Sequence, residues 1–210
     1  NDIVSNRAEY VGGGIRLNFS DSNLFTGEVI SNHSSASDYE GGGGARLDNA
    51  ANYNRFEGHF KYNTSGNHGG AVSMVEGISN VFLGSFISNT ASQNGGALQM
   101  NSSSSNLFLG HFLNNTAGSD GGGINLSSGA SYNLFSGNLI KNNNCTVHGG
   151  GISIYGDSSD GNIVSNDIIG NSSWGAGGGV RLCRPDNNRF TGDILSNHCN
   201  SLTYAGGGVR

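Results

Sequence analysis

A ten-residue phrase with constant internal spacing recurs seven times along the chain. The first copy extends from Asn23 to Asn32 and reads NLFTGEVISN. Self-similarity at a fixed period is the signature of a solenoid, in which each repeat packs on its neighbours. The remaining copies also begin and end with asparagine: Asn54–Asn63, Asn80–Asn89, Asn106–Asn115, Asn133–Asn142, Asn162–Asn171 and Asn188–Asn197.

A second landmark, a run of glycines followed by an apolar-x-apolar triplet, returns with the same period. One copy reads GGALQM at Gly95–Met100, and the first apolar residues of successive copies lie 26–30 residues apart. This length suits one coil of a β-helix and is too short for a propeller blade. Alternation indicates strands, while Ser, Asn and Gly disfavour helix. The sequence therefore predicts an all-β, single-stranded parallel β-helix of about eight coils, one continuous domain over residues 1–210.

Equivalent residues of the phrase predict two columns inside the coils. The central apolar residues are expected to stack in the core: Phe25, Phe56, Phe82, Phe108, Phe135, Val164 and Phe190. The closing asparagines are expected to form a ladder, because stacked strands lie about 4.8 Å apart and bring their amides together. The ladder residues are Asn32, Asn63, Asn89, Asn115, Asn142, Asn171 and Asn197.

A glycine follows the core residue by two positions in most phrases, as Gly27 does in the first. Asn166 replaces it once. Glycine and asparagine adopt the left-handed backbone most readily, which favours a bend at this position. The alternative is that glycine only makes room inside a crowded coil.

Composition excludes several classes of function. The net charge is −5 and no basic cluster is present, which disfavours nucleic-acid binding. No apolar stretch approaches the roughly 20 residues of a membrane helix, and no signal peptide is recognisable. The chain begins and ends within a coil, so we expect it to belong to a longer chain or to continue into a neighbour.

One segment resembles a known family. Phe86–Leu98 reads FISNTASQNGGAL, and similar phrases begin at Phe60 and Phe112. They resemble the paired FxxN and GGA[ILV] motifs of polymorphic outer-membrane proteins. The ten-residue phrase also resembles the repeats of right-handed parallel β-helices in periplasmic and secreted carbohydrate-active proteins. The resemblance implies a right-handed β-helix displayed at a cell surface, often in adhesion.

The residues give little support for catalysis. Asp167 and Asp193 occupy equivalent positions of adjacent coils, where carboxylates about 5 Å apart can perform acid/base work on a glycoside. The alternative is a pair of solvated acids without a third group, so we expect no enzyme. His59 and His111 are two coils apart, about 10 Å, too far for one metal ion. No cofactor is expected.

The three cysteines leave their redox state open. Cys145, Cys183 and Cys199 lack the CxxC or His/Cys spacing of a zinc site. They are consistent either with one local disulfide and a spare thiol or with three thiols.

Several residues are candidates for binding or modification. Tyr39, Trp174 and Tyr204 follow ladder asparagines in loops and are candidates for stacking on sugar rings. Asn18, Asn101 and Asn144 lie in N-x-[ST] sequences and are candidates for glycosylation. One column is polar throughout and indicates a solvated or sugar-wetted face: Arg16, Arg46, Ser73, Gln99, Asn125, Ser153, Arg181 and Arg210.

Together these features predict an extracellular or cell-surface structural and adhesive protein. We expect it to assemble end to end into a fibre or to form a stalk. Its expected partners are other copies of itself, head to tail, or the rest of a longer chain, with glycans as a further partner. Neither nucleic acid nor direct membrane insertion is expected. The alternative is a polysaccharide-binding module, or a polysaccharide lyase or glycoside hydrolase on the same scaffold.

Overall fold

The chain folds into stacked coils whose strands form three parallel sheets. The computed structural model describes residues 1–35, 41–201 and 206–210. Within these ranges there are 28 strands and no helix, and every strand pairing is parallel. No helix among the described residues has the length and apolar character needed to cross a membrane. The predicted all-β parallel solenoid is confirmed, with about seven turns.

Each coil contributes strands to the three sheets in a fixed order. The first sheet, called sheet A, carries the phenylalanine columns. Two of its strands are long, and each spans the positions that two separate short strands occupy in other coils. Its strands are β1 (Ile3–Val4), β4 (Leu24–Phe25), β5 (Val29–Ile30), β8 (Arg55–Phe56), β9 (Phe60–Lys61), β12 (Val81–Phe82), β13 (Phe86–Ile87), β16 (Leu107–Phe108), β17 (Phe112–Leu113), β20 (Leu134–Lys141), β23 (Ile163–Ile169), β26 (Arg189–Phe190) and β27 (Ile194–Leu195).

The other two sheets complete the wall of the solenoid. Sheet B consists of β2 (Arg7–Ala8), β6 (His33–Ser34), β10 (Thr64–Ser65), β14 (Thr90–Ala91), β18 (Thr116–Ala117), β21 (Asn144–Cys145), β24 (Ser172–Ser173) and β28 (His198–Cys199). Sheet C follows each glycine run and consists of β3 (Ile15–Asn18), β7 (Ala45–Asp48), β11 (Val72–Val75), β15 (Leu98–Asn101), β19 (Ile124–Ser127), β22 (Ile152–Tyr155) and β25 (Val180–Cys183).

The core contains two parallel stacks of phenylalanine rings. In the predicted stack, the rings of Phe56 and Phe82 have centroids 4.7 Å apart and an interplanar angle of 3°. A second stack contains Phe60, Phe86 and Phe112, and the last two rings lie 4.6 Å apart. Rings of different stacks meet at tilted angles. Pairs in these geometries stabilise proteins by about 0.5–1.5 kcal/mol beyond the burial of their area. The whole predicted column lies in register, with Phe25 and Phe190 partly buried at the two ends.

The asparagine ladder is present, but one predicted member is wrong. Asn63 Oδ1 accepts hydrogen bonds from Asn32 N at 3.0 Å and from Asn32 Nδ2 at 3.1 Å. At the fifth phrase, Asn115 pairs with Asn143 instead of Asn142. Strand β20 shifts register between Ser136 and Leu139, so one extra residue precedes the ladder position. Asn142 is exposed and has a φ of 55°.

A second asparagine ladder, absent from our predictions, follows the residues that open each phrase. Asn80 Oδ1 accepts from Asn54 N at 2.9 Å and from Asn54 Nδ2 at 3.1 Å. The same pattern continues through seven asparagines of the described chain: Asn23, Asn54, Asn80, Asn106, Asn133, Asn162 and Asn188. Two buried ladders therefore border the phenylalanine stacks and satisfy backbone amides at both corners of sheet A.

The glycine column of the phrase makes room for the neighbouring coil, and the predicted left-handed bend is wrong. A Cβ atom on Gly84 would lie 2.0 Å from the carbonyl oxygen of Gly58, and Gly84 is not among the residues with positive φ. Gly137 differs, with a φ of 80° and nothing within 4 Å of an added Cβ. Gly137 lies in the irregular part of β20, which faces Asn166 on the next coil. This irregularity explains why the side chain of Asn166 fits at a position where most coils have glycine.

The structure has no disulfide bond among the three cysteines, all of which lie within the described residues. Cys145 and Cys199 belong to one column of sheet B, separated by the intervening Ser173, while Cys183 ends a strand of sheet C. Neighbouring coils, rather than disulfides, therefore hold this part of the chain together.

Candidate functional site

The outer face of sheet C forms the floor of a polar groove. Gln99 lies between the core residues Leu98 and Met100, so its side chain points away from the core. Gln99 is nevertheless only 7% exposed. Asn125, its register partner on the neighbouring strand, is 3% exposed. The floor consists of Arg46, Ser73, Gln99, Asn125, Ser153 and Arg181. With strands about 4.8 Å apart, it extends for about 24 Å.

One wall of the groove is built from the turns that precede the glycine runs. Each wall side chain accepts a hydrogen bond from a backbone N–H of the next coil. His68 Nδ1 accepts from Asn94 N at 3.2 Å, and Asp120 Oδ1 accepts from His148 N at 3.0 Å. Because these side chains are fixed by the backbone, the wall is preorganised. The wall comprises His68, Asn94, Asp120 and His148.

The opposite wall is formed by the last residue of each sheet C strand. Its members include Val75, Asn101, Ser127 and Tyr155. Both walls and the floor line one cavity of about 340 Å³ in the middle of the groove. A volume of this order falls in the range of small-ligand sites.

Hydrogen bonds order the floor and leave one hydroxyl unused. Asn125 Nδ2 donates to Gln99 Oε1 at 2.8 Å, and Gln99 Nε2 donates to Ser127 Oγ at 3.0 Å. Ser153 is fully buried, and its Oγ is among the described side-chain atoms that have no hydrogen-bond partner. Buried hydroxyl groups are normally paired, so Ser153 is an exception within the floor.

Arginines occupy both ends of the floor, each beside an aspartate. Arg46 Nε lies 3.3 Å from Asp48 Oδ2, and Arg46 Nη1 donates to Ser73 Oγ at 2.8 Å. At the other end, Arg181 Nη1 lies 3.5 Å from Asp120 Oδ2. The residues between the two arginines are neutral amides and hydroxyls, so charge is confined to the ends of the floor.

Both histidines of the wall have a lowered pKa. Burial, and then the nearby positive charge of Arg46, lower the pKa of His68 below its usual value. Burial also lowers the pKa of His148, with further contributions from Arg181 and Arg210 that Asp120 partly opposes. The Nδ1 atom of each ring accepts a backbone N–H, so the ring proton resides on Nε2.

A second cavity of about 400 Å³ lies at the Arg181 end of the groove. The guanidinium carbon of Arg181 lies 5.5 Å from the centre of the Tyr155 ring, within the range of a cation–π contact. The cavity is lined by His148, Ala176, Arg181, Leu182, Cys183 and Arg210.

Of the three aromatic residues predicted to bind sugars, one lies within the described residues, so their joint role stays a prediction. Tyr39 and Tyr204 lie outside the described residues. Trp174 is 65% exposed in the turn before β25, two residues before Ala176 of the cavity lining. Sequence reasoning missed Tyr155, which stands at the wall of the groove. The sequence signal for Tyr155 was its position at the end of an apolar-x-apolar strand, on the same face as the polar column.

The candidate acids are joined through the backbone, and Asp167 also lines a cavity of about 220 Å³. Asp167 Oδ1 accepts a hydrogen bond from Asp193 N at 3.0 Å, as His59 Nδ1 does from Ser85 N at 2.8 Å in the same column. Asp193 is exposed. The column therefore ties successive coils together. No group of three His, Cys, Asp or Glu side chains within the described ranges is arranged to hold a metal ion.

The candidate glycosylation sites have different surroundings. Asn18 is exposed, and its Oδ1 accepts from Asn49 Nδ2 at 2.6 Å. Asn101 is half-buried at the groove, and Asn144 Oδ1 accepts from Ser172 Oγ at 2.8 Å. Modification at these positions stays a prediction.

The site that the fold assembles is therefore a polar groove along sheet C with an arginine at each end. No family model, no curated protein and no solved structure matches this chain.

Proposed function

We propose that this protein is an adhesive β-solenoid, working at the cell surface or outside the cell, that binds an extended polysaccharide along the polar groove. One observation carries the proposal. The floor residues lie on the outer face of sheet C and yet are buried, between walls that the backbone fixes in place. A flat solvated sheet would leave such side chains exposed.

The chemistry of the floor suits sugar hydroxyls. The floor carries the amides of Gln99 and Asn125, whose carbonyl oxygens can each accept more than one hydrogen bond, and Ser73 adds a hydroxyl. Because like positions recur about every 4.8 Å along the axis, a polymer with a repeating unit meets similar groups at each coil. The neutral middle of the floor favours sugars over nucleic acids, whose binding depends on phosphate neutralisation.

The surface location rests on sequence resemblance. The FxxN and GGA[ILV] phrases resemble the repeats of polymorphic outer-membrane proteins, which supports a role in adhesion. A rigid stalk of stacked coils would hold the groove away from the surface that carries it.

A glycan array followed by calorimetry tests the proposal. We expect saturable binding of oligosaccharides, weakened about tenfold by Gln99→Ala through loss of its amide contacts. Thr90→Ala alters an exposed residue of sheet B and should leave binding unchanged. Circular dichroism would establish that both variants keep the fold.

The proposal fails if the protein binds no glycan on the array, or if Gln99→Ala binds as well as the parent chain. Release of new reducing ends from a bound polysaccharide, abolished by Asp193→Asn, would instead favour the hydrolase alternative.

A further inference from the structure

The cavity at the Arg181 end of the groove differs in charge from the neutral middle of the floor. Arg181 and Arg210 both line it, and both also act electrostatically on His148. Asp120, whose Oδ2 lies 3.5 Å from Arg181 Nη1, is the carboxylate that faces this group from the wall. Among the described residues, two arginines therefore line the cavity, and one of them faces a carboxylate.

The donor groups around the cavity are of the kind that binds carboxylates. A guanidinium group presents paired N–H donors in a plane, which match the two oxygens of a carboxylate. His148 Nδ1 accepts from Ala176 N at 2.7 Å, so its remaining N–H is available as a further donor on Nε2. The side chain of Arg181 is 17% exposed, and this partial burial strengthens its interaction with an anion.

Ser153 is a buried polar residue of the floor next to Arg181. It lies directly between Asn125 and Arg181 in the register of sheet C. It is fully buried, and no hydrogen-bond partner is described for its Oγ. The floor next to Arg181 therefore contains a polar group that is buried without a hydrogen-bond partner among the described residues.

Tyr155 connects the cavity to the groove. Its ring lines the cavity of about 340 Å³ in the middle of the groove. The same ring lies 5.5 Å from the guanidinium carbon of Arg181. A polymer that follows the floor therefore passes an aromatic ring just before it reaches the arginines, and such a ring can pack on the apolar face of a sugar.

We propose that this cavity is a carboxylate-binding subsite, so that the groove selects polysaccharides that contain uronic acids. The inference rests on the proposed function, since it assigns one end of the same groove. Arg181 pairs with the sugar carboxylate, and Arg210 and His148 line the same cavity.

The test compares an oligouronide with its carboxyl-reduced, neutral counterpart by calorimetry. The parent chain should bind the acidic ligand at least about tenfold more tightly, because only that ligand pairs with Arg181. Arg181→Gln should remove this preference. Arg189→Gln removes the same charge from an exposed position on sheet A and should retain it.

The outcomes separate the two proposals. Equal binding of both ligands, with Gln99→Ala still weakening both, would overturn the subsite and leave the groove assignment intact. Binding of neither ligand would overturn both. If Arg181→Gln failed to fold, the comparison of the two ligands on the parent chain would still decide.

A competition experiment tests the assignment to a sugar carboxylate. Free glucuronate should displace the oligouronide from the parent chain more effectively than inorganic phosphate or sulfate at equal concentration. Equal displacement by phosphate would identify a general anion site and overturn the assignment.

Discussion

Asn115 donates two hydrogen bonds to a single oxygen, Oδ1 of Asn143, from its backbone N and its side-chain Nδ2, both at 2.9 Å. The ladder thus continues through Asn143, and Asn142 is not a member of it. Asn143 in turn donates to Asn171 Oδ1 and to the carbonyl oxygen of Phe112, both at 2.9 Å. All the hydrogen-bonding capacity of this buried amide is therefore used within the coils.

Replacing Asn143 should be far more costly than replacing its neighbour. Asn143→Ala leaves the two Asn115 donors and the Phe112 carbonyl without this partner, at about 1–3 kcal/mol for each buried group. We expect the free energy of unfolding to fall by at least about 3 kcal/mol. Asn142→Gly, at an exposed position with positive φ, should change it by less than about 1 kcal/mol. Urea unfolding of the two variants would measure both, and similar losses would contradict the register described here.

The glycines of the phrase should differ in their tolerance of a methyl group. Gly84→Ala places a Cβ 2.0 Å from a backbone carbonyl oxygen, which cannot rotate away. We expect a loss of about 3 kcal/mol or more, at the upper end of overpacking effects. Gly137→Ala meets no atom within 4 Å and should cost only the left-handed backbone, about 1–2 kcal/mol. Thermal or urea unfolding would rank them, and the opposite order would disprove the steric explanation.

Stability should decrease as the solution becomes mildly acidic, in part because of His68. Its pKa is lowered on folding by burial and then by Arg46. Above the ordinary histidine value of about 6.5, both folded and unfolded states are neutral and the full stability is present. As the pH falls below that value, the unfolded chain takes up the proton first, so the free energy of unfolding decreases until the folded pKa is reached. The slope is at most about 1.4 kcal/mol per pH unit for one group.

His68→Asn provides the matched control. Asn94, the next residue of the column, already uses its Oδ1 to accept from Asp120 N at 3.1 Å, so an amide can perform this role. Urea unfolding at about pH 7.5 and about pH 5.5 should show a smaller pH dependence in the variant. An unchanged dependence would mean that His68 does not contribute.

The thiols should react in a defined order. Burial raises the pKa of Cys145 to about 12, and alkylating reagents react with thiolates. In the folded protein we expect Cys145 to stay unmodified while the half-buried Cys183 is labelled, as peptide mass mapping would reveal. After denaturation without reductant, all three should be labelled; protection of any pair would instead reveal a disulfide.

The fold was predictable because the same sequence pattern recurs from coil to coil. The spacing of Phe56, Phe82 and Phe108 identifies a core column, and the closing asparagines identify a ladder. The prediction of Asn142 as a ladder residue was wrong because three consecutive asparagines begin at this position. The sequence therefore does not show which of them continues the ladder. The deciding irregularity in β20 has no local signal. The asparagines that open each phrase recur as regularly as those that close it, so the second ladder could also have been predicted.

The groove was only partly predictable. Alternation placed Gln99 on the outer face and identified the column as polar. Its burial depends on walls that belong to other parts of the coil, such as His68 and Tyr155, and their approach requires the three-dimensional course of the chain. Similarly, the cavity beside Arg181 arises from residues of successive coils, which no single repeat encodes.

The ladders and ring stacks join only consecutive turns, so the rod can change length in whole units. Residues 80–105 constitute one such unit, because Asn54, Asn80 and Asn106 are spaced by 26 residues. Excising them would present Asn106 to Asn54 and Phe108 to Phe56, which re-creates the contacts that were cut. Duplication or loss of a segment in a gene would therefore alter the reach of the molecule while its cross-section stays constant.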